Sequence, residues 1–353
     1  MCSVWDVLTL PGLVPKIFHW AGTWGARRCT GSCRYGLELL GPALQGIQQL
    51  LPCRVLVIGG HFGRGHGPHE PLKTAELFDP GEGAWETMPG PQVPRSHSTA
   101  AACRGVVFVL GGRDSMDCTL NSVESFDFSS CQWIKMPALR AARHSAAAVC
   151  LGESLFVMGG FDGLEALDSV ERIDCQTLEH HGWMPVQSLS FPRGKHAAVA
   201  FQRQIFLLGG MDSGYRCLVS AEALPLIGAC QSTWAKLPDL RFARSECAAS
   251  AVAGAVVVIG GVANGWTTLS NAERFEPAVG HWEVLLDMAI IRRDCASAAV
   301  AGELYVMGGM SFGGRCTSKV ERLERLERPC NCWQDVAPLP GPRCGCCAAT
   351  IQL

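Results

Sequence analysis

The chain has 353 residues and a formal net charge of −2; 48% of its residues are hydrophobic and 18% are charged. This composition excludes an intrinsically disordered protein, and the near balance of charge gives no long-range attraction for nucleic acid. No apolar run reaches the roughly 18 residues that a membrane-spanning helix needs, so we expect no membrane span. No export signal is evident, so we expect a cytoplasmic protein whose 19 cysteines are mostly free thiols.

The first 52 residues show no internal repeat. Residues 42–51 predict one short helix, because they place a proline in the first turn and three apolar residues on one helical face. We therefore divide the chain into an N-terminal extension, residues 1–52, and a repeat domain, residues 53–353.

Four sequence markers recur six times in the same order along the repeat domain. Each unit has an apolar run ending in a Gly-Gly doublet, then a glutamate, a tryptophan and, ten residues further on, an arginine. The doublets begin at Gly59, Gly111, Gly159, Gly209, Gly260 and Gly308, and the tryptophans are Trp85, Trp133, Trp183, Trp234, Trp282 and Trp333. The glutamates are Glu76, Glu124, Glu171, Glu222, Glu273 and Glu321, and the arginines are Arg95, Arg143, Arg193, Arg244, Arg292 and Arg343.

Each unit contains four short segments that are typical of β-strands. Strand a is a run of small residues after the arginine, strand b is the apolar run before the doublet, and strands c and d hold the glutamate and the tryptophan. A continuous apolar run as short as strand b indicates a strand buried on both faces. Four strands in each of six units predict an all-β fold, a six-bladed β-propeller.

The two ends of the repeat domain complement each other. The first unit lacks strand a, since Ala43 stands where its arginine would be, whereas Arg343 is followed by a final run, residues 344–353, with no strand b. We therefore predict that the C-terminal strand completes the first blade, which would remove both free edges of the sheet.

The repeat resembles the Kelch family over residues 53–353. The resemblance is carried by the doublet, by Phe78-Asp79 and Phe126-Asp127, by the spaced tryptophan, and by Pro94-Arg95 and Pro192-Arg193. Leu224-Pro225 and Ile291 depart from the pattern, so the blades that contain them are expected to be less regular. The resemblance implies a protein–protein interaction module, either in substrate recognition for a cullin-type ubiquitin ligase or in scaffolding on the cytoskeleton.

The recurring arginines and glutamates are expected to be structural. Both fall near the face from which the d–a and b–c connections emerge, and a buried arginine needs a charged partner. Residues of the same face that differ between units are the candidates for binding a protein or peptide. They are His97, Ser145, Lys195, Glu246 and Asp294, two residues after successive arginines, and Arg113, Phe161, Tyr215, Trp266 and Arg315 in the b–c loops. We assign Lys195, Arg113 and Arg315 to partner carboxylates.

Two alternative functions remain open from the residues. A carbohydrate- or small-molecule-binding propeller enzyme such as a sugar mutarotase would use His97, Glu246 and Asp294 for acid–base chemistry. Three histidines in the loop after Gly60 suggest metal binding, although their spacing matches no established site. We expect a non-enzymatic protein without a cofactor or a metal ion.

Overall fold

The computed structural model is a ring of six antiparallel sheets, each with four strands in the described part of the chain. The structure describes residues 53–63, 70–177, 182–225, 233–324 and 332–352. The predicted N-terminal extension and its helix lie outside these residues. No helix among the described residues is long and apolar enough to cross a membrane.

The strands follow the order a, b, c, d that the sequence predicts. Blade 1 contains β1 (Cys53–Ile58), β2 (Thr74–Asp79) and β3 (Ala84–Pro89), and blade 2 contains β4 (Thr99–Cys103), β5 (Val106–Leu110), β6 (Val123–Asp127) and β7 (Gln132–Met136). Blade 3 contains β8 (Ala147–Leu151), β9 (Ser154–Met158), β10 (Val170–Asp174) and β11 (Met184–Val186), and blade 4 contains β12 (Ala197–Phe201), β13 (Gln204–Leu208), β14 (Ala221–Pro225) and β15 (Ala235–Lys236). Blade 5 contains β16 (Ala248–Val252), β17 (Ala255–Ile259), β18 (Ala272–Phe275) and β19 (Trp282–Val284). Blade 6 contains β20 (Ala296–Val300), β21 (Glu303–Met307), β22 (Val320–Leu323) and β23 (Trp333–Val336), with a 3₁₀ turn at Phe312–Gly314 between β21 and β22.

The last strand, β24 (Cys347–Gln352), closes the ring as predicted. It pairs with β1 in antiparallel register from Cys53 opposite Gln352 to Ile58 opposite Cys347, so blade 1 has the order β24-β1-β2-β3. The first and the last described strands of the repeat domain, β1 and β24, are therefore neighbours in one sheet.

The apolar core lies between neighbouring blades. Strand b is buried on both faces, as in β17, where every residue is buried, while strand a alternates buried and half-buried positions. Leu56 and Ile58 of blade 1, for example, belong to one cluster with Val107 and Phe126 of blade 2. Small side chains on strand a let six blades converge on the axis, and larger ones fill the widening space outside.

The six tryptophans add a polar bond to this packing. Each indole Nε1 donates a hydrogen bond to a backbone carbonyl of the preceding blade, as Trp133 does to Pro89 at 2.7 Å and Trp85 of blade 1 does to Ala337 at 2.9 Å. Trp183, Trp234, Trp282 and Trp333 bond to Pro137, Gln187, Pro238 and Leu286. The indole therefore fills the gap between blades and satisfies its own N–H there.

Each Gly-Gly doublet is a contact with the next blade. Gly111 and Gly112 have φ values of 57° and 101°, and the Gly112 N–H donates to the Arg143 carbonyl at 2.9 Å. A Cβ atom on Gly111 would collide with that carbonyl oxygen. Glycine is needed here both for the backbone conformation and for the close approach.

Candidate functional site

The d–a and b–c connections form one face of the ring, here called the channel face. Short antiparallel bridges join the two kinds of connection in every blade, such as Ser96 with Arg113 and His144 with Phe161. These bridges bring the residues just before strand a next to the residues just after strand b, although the two lie far apart in the sequence of a repeat. This confirms that the recurring arginines and the variable positions next to them share one face.

The six repeat arginines are buried and paired with the six repeat glutamates. The nitrogen–oxygen distances are 2.5 Å for Arg95–Glu124, 2.6 Å for Arg143–Glu171, 3.0 Å for Arg193–Glu222, 2.6 Å for Arg244–Glu273 and 3.1 Å for Arg343–Glu76; Arg292 pairs with Glu321. Each pair lies within one blade, between the start of strand a and strand c. The predicted ion pairs are therefore present in all six blades.

Each pair also orders the backbone around it. Arg143 Nη1 donates to the Gly159 and Ser169 carbonyls at 2.8 and 3.1 Å, and Glu171 accepts the Arg140 and Ala141 N–H groups at 2.7 and 3.1 Å. Burial lowers the pKa of Arg95, Arg143 and Arg193, in the case of Arg193 to about 10, so these three arginines are still charged at neutral pH. Both Nη groups of Arg143 and both oxygens of Glu171 are used in this way, whereas the Arg143 Nε is buried without a hydrogen-bond partner among the described residues.

The residues two positions after the arginines form a closed ring around the channel mouth, here called the channel ring. The ring consists of His97, Ser145, Lys195, Glu246, Asp294 and Gly345. Each N–H donates to the carbonyl of the equivalent residue in the preceding blade at 2.8–2.9 Å, and Gly345 and His97 close the cycle. All six residues have φ between 49° and 60°.

This left-handed conformation is unfavourable for residues other than glycine. Five such residues in one cycle are held by the ring of hydrogen bonds, and backbone strain of this kind concentrates at functional sites. Gly345 also leaves room for a neighbour, since a Cβ atom there would lie 3.0 Å from the His97 ring.

The charged members of the channel ring neutralise one another. Glu246 is buried and accepts Lys195 Nζ at 2.5 Å and Arg293 Nη1 at 3.1 Å. Burial and the nearby Glu246 carboxylate raise the pKa of Asp294 to about 8. Burial lowers the pKa of His97 well below its usual value, and its Nδ1 lies 3.9 Å from Asp294. At neutral pH, one proton is thus held at Asp294 and His97 is uncharged.

A second polar group lies beside Ser145. Arg113 contacts Asp117 at 2.7 Å and His144 Nε2 at 2.9 Å, and His144 Nδ1 lies 3.1 Å from Ser145 Oγ. The Phe161 ring stacks on His144 with a centroid distance of 5.6 Å. Burial and the Arg113 charge lower the pKa of His144 to about 4.

Two of the three cations that we assigned to partner carboxylates have an acidic partner within the chain. Lys195 and Arg113 are already paired with Glu246 and Asp117, while Arg315 is exposed in its b–c loop. Glu246 itself is only 7% exposed and acts within the ring. The channel ring encloses a cavity of about 110 Å³, which His97, Lys195, Glu246 and Asp294 line together with His196.

A circle of exposed apolar side chains surrounds the channel mouth, here called the crown. It consists of the most exposed apolar side chain of each b–c loop among the described residues: Phe62, Met116, Leu164, Tyr215, Trp266 and Phe312, which are 50, 81, 93, 72, 60 and 73% exposed. The five most exposed large apolar side chains among the described residues all belong to it. Tyr215 and Trp266 were predicted as partner-binding residues, whereas Met116 and Leu164 were not. Their positions in the b–c loops, equivalent to those of Tyr215 and Trp266, could have identified them in the sequence.

Comparisons with known proteins agree with this architecture. The sequence family described as the KLHDC2/KLHL20/DRC7 Kelch-repeats domain matches residues 50–261, and the Kelch motif matches residues 243–289 and 291–340. The solved structure of YjhT superimposes on 79% of this chain and 97% of its own with a TM-score of 0.66 at 14% sequence identity, which shows a common fold.

Among curated proteins, Kelch-like protein 35 of Mus musculus is 35% identical over 95 residues, which cover 27% of this chain and 16% of that protein. Kelch-like protein 35 of Homo sapiens is 38% identical over 85 residues, which cover 24% of this chain and 14% of that protein. The match thus spans about a sixth of the length of these relatives. Because the family match covers more than half of its residues, the chain belongs to the Kelch-repeat family.

Proposed function

We propose that the channel face binds a protein or peptide segment, with the crown as the apolar contact and the channel ring beneath it as the polar contact. The observation that carries this proposal is the crown itself, one exposed apolar side chain on every blade around one opening. Exposed apolar groups arranged around polar ones are typical of protein interaction sites, and aromatic residues are enriched among binding hot spots.

The size of the central cavity supports a protein ligand over a small molecule. The cavity measures about 110 Å³. Pockets for small ligands usually measure roughly 300–1,000 Å³. A side chain of a bound loop fits such a space, and the rest of the loop would lie on the crown.

The second candidate is a carbohydrate-converting propeller enzyme, such as a sugar mutarotase. One observation favours it: Asp294 lies beside Glu246 and His97, and its pKa is raised to about 8. A carboxyl group that is protonated at neutral pH could donate its proton as a general acid. Against it, Glu246 is held by Lys195 and Arg293, and the cavity is small.

Within the Kelch family, the role we propose is recognition of a substrate for a cullin-type ubiquitin ligase, with scaffolding on the cytoskeleton as its alternative. Both roles would operate in the cytoplasm and both need a protein-binding face. The proposal for the channel face therefore holds for either.

The test compares the crown with an apolar residue on the other face. Val279, which is 55% exposed, lies in the c–d turn of blade 5 and serves as the control. Three forms of the protein are used as bait: the full chain, the Leu164→Ser/Trp266→Ser variant and the Val279→Ser variant. Each captured protein is then purified, and its affinity for each of the three forms is measured. We expect the crown variant to bind about 30-fold or more weakly, since one hot-spot side chain contributes about 2 kcal/mol.

The Val279→Ser variant should bind like the unaltered chain. Equal binding by the crown variant, or loss of binding only in the Val279→Ser variant, would place the partner elsewhere and overturn the proposal.

A further inference from the structure

Three side chains with metal-binding atoms meet on the channel face where the first and last blades join. His61 follows the doublet of blade 1, Cys344 precedes β24, and Cys316 lies in the b–c loop of blade 6. One imidazole nitrogen and the two sulfur atoms all lie within 4.8 Å of one another. His61 is 2% exposed, Cys344 is fully buried and Cys316 is half-buried.

The backbone holds these side chains together. His61 N–H donates to the Cys344 carbonyl at 2.9 Å, and Cys344 N–H donates to the His61 carbonyl at 3.0 Å. The Cys344 sulfur lies 3.6 Å from each ring nitrogen of His61, and the Cys316 sulfur lies 3.5 Å from the His61 carbonyl oxygen. The structure joins the two sulfur atoms as a Cys316–Cys344 disulfide, with the Cα atoms 5.6 Å apart. The cluster is therefore set by the closure of the ring.

The equivalent positions of the other blades carry different chemistry. In blade 5, the bridge joins Ser245 with Val262, and the neighbouring loop provides Cys217, which packs in an apolar cluster with Val262. Among the described residues, the other bridges of this type do not combine an imidazole with a thiol. The fold supplies this geometry six times, and only the junction of blades 6 and 1 fills it with a histidine and two cysteines.

We propose that the reduced Cys316 and Cys344, together with His61, bind a zinc ion that joins the two ends of the propeller. Two thiolates and an imidazole are a donor set that zinc prefers, with bonds of about 2.3 Å to sulfur and about 2.0 Å to nitrogen. Ligand atoms around such an ion lie about 3.5 Å apart, so the two sulfur atoms must move apart after reduction, while the imidazole nitrogen already lies within 4.8 Å of both.

An external thiol first reduces the Cys316–Cys344 disulfide with two electrons and two protons. Zinc binding then converts the two thiols into thiolates, releases their protons and transfers no electrons. Three protein ligands leave a fourth position for water on the side of the half-buried Cys316. The ion would connect the b–c loops of blades 6 and 1 to the residue that precedes β24. It would also lie next to the channel ring, since the His61 and His97 ring centroids are 5.2 Å apart.

The test uses the full reduced chain with Zn²⁺ or Co²⁺ alone as the probe. We expect one metal ion per chain by native mass spectrometry, and a Co²⁺ spectrum with the sulfur charge-transfer band and the strong visible bands of a tetrahedral thiolate site. The Cys316→Ser/Cys344→Ser variant should bind at least about 100-fold more weakly, because even residues behind a metal ligand contribute 10–100-fold. Zn²⁺ should raise the melting temperature of the unaltered chain but not that of the variant.

Two controls separate this site from other cysteines. Cys217→Ser changes the equivalent residue of another blade, and Cys118→Ser/Cys131→Ser/Cys332→Ser removes exposed thiols; both variants should keep the full affinity. Circular dichroism establishes that each variant is folded, and His61→Ala gives a second test that leaves all thiols in place.

Three outcomes would overturn the proposal. The first is a Cys316–Cys344 disulfide that resists treatment with the reductant, detected as a 2 Da deficit in the intact mass. The second is unchanged metal binding in both the double-cysteine and His61→Ala variants. The third is metal binding that disappears with the exposed thiols or with His66→Ala/His69→Ala.

Discussion

At the scale of single residues, the repeat arginine connects two blades through different parts of the same residue. The side chain of Arg143 bonds within its own blade to Gly159, Ser169 and Glu171, while its carbonyl accepts Gly112 N–H from the preceding blade. Breaking such a pair on one side leaves a buried charge without its partner, which costs more than the pair itself contributes.

Arg143→Ala should therefore destabilise the propeller by about 3–5 kcal/mol, because Glu171 is left buried and unpaired. The measurement is the free energy of unfolding from denaturant titration. Arg104→Ala is the matched control, since Arg104 forms an exposed pair with Glu153 and its loss should change stability by less than about 1 kcal/mol. Equal effects of the two substitutions would show that the buried pairs are not structural.

Asp294 should make the stability of the propeller depend on pH. Its pKa is about 8 in the folded chain, raised by burial and by Glu246 against the opposing effect of Lys195 and Arg293, and near 4 when unfolded. The folded state therefore holds more protons between these values, so this group's contribution to stability is greatest below pH 4 and decreases up to about pH 8.

Asp294→Asn removes this titration, and its stability relative to the unaltered chain should rise by about 1–3 kcal/mol between pH 5 and pH 8. Denaturant titrations at both pH values measure the difference, with the exposed Asp117→Asn as the control. An unchanged relative stability of Asp294→Asn over this interval would mean that Asp294 is already ionised in the folded protein at pH 5.

At the scale of strands, the blades differ most at their outer edges. In blade 4, Pro225 ends β14 and the outer strand β15 has only two residues, as expected from the departure at Leu224-Pro225. The departure at Ile291 has no such effect, because Arg292 is fully buried and still paired with Glu321. A proline before the arginine is thus dispensable, whereas proline at the end of strand c accompanies a short strand d.

Strand β24 joins the C-terminal end of the repeat domain to blade 1. It provides the inner strand of blade 1, and its backbone pairs with all six residues of β1. Deleting residues 343–353 also removes the partner of Glu76 and exposes the edge of β1.

This deletion should abolish cooperative thermal unfolding and lead to aggregation, because the ring cannot close. Circular dichroism on heating and light scattering measure the two effects. Removal of residues 352–353 alone is the control and should leave the transition within a few degrees. A cooperative transition in the longer deletion would show that blade 1 is stable without its inner strand.

At the scale of the whole molecule, repeated and variable residues occupy different places. The six arginine–glutamate pairs, the doublets and the tryptophans lie between or within blades, where six equivalent positions need the same contacts. The crown and the channel ring lie on the channel face; the six channel-ring residues all differ, and the crown repeats only phenylalanine, at Phe62 and Phe312. Repetition therefore builds the scaffold, and its variation provides the candidate binding surface.

The sequence by itself determined the blades, their number and their closure. The repeat period, the buried apolar runs and the fixed marker residues are local features of the sequence, and each unit needs the same residues because each blade makes the same contacts. Arg343, followed by a last strand with no partner in its own unit, therefore predicted the closure of the first blade. The face on which His97, Lys195 and Trp266 lie also followed from the strand order.

Only the tertiary structure decided which of these side chains are available. The pairing of Lys195 with Glu246 crosses 51 residues, and the meeting of His61 with Cys316 crosses 255. Such contacts depend on how neighbouring blades are placed around the axis, which no local pattern specifies. The same placement sets the hydrogen-bonded channel ring, because each of its bonds joins different blades and its left-handed backbone is maintained only when all six blades are assembled.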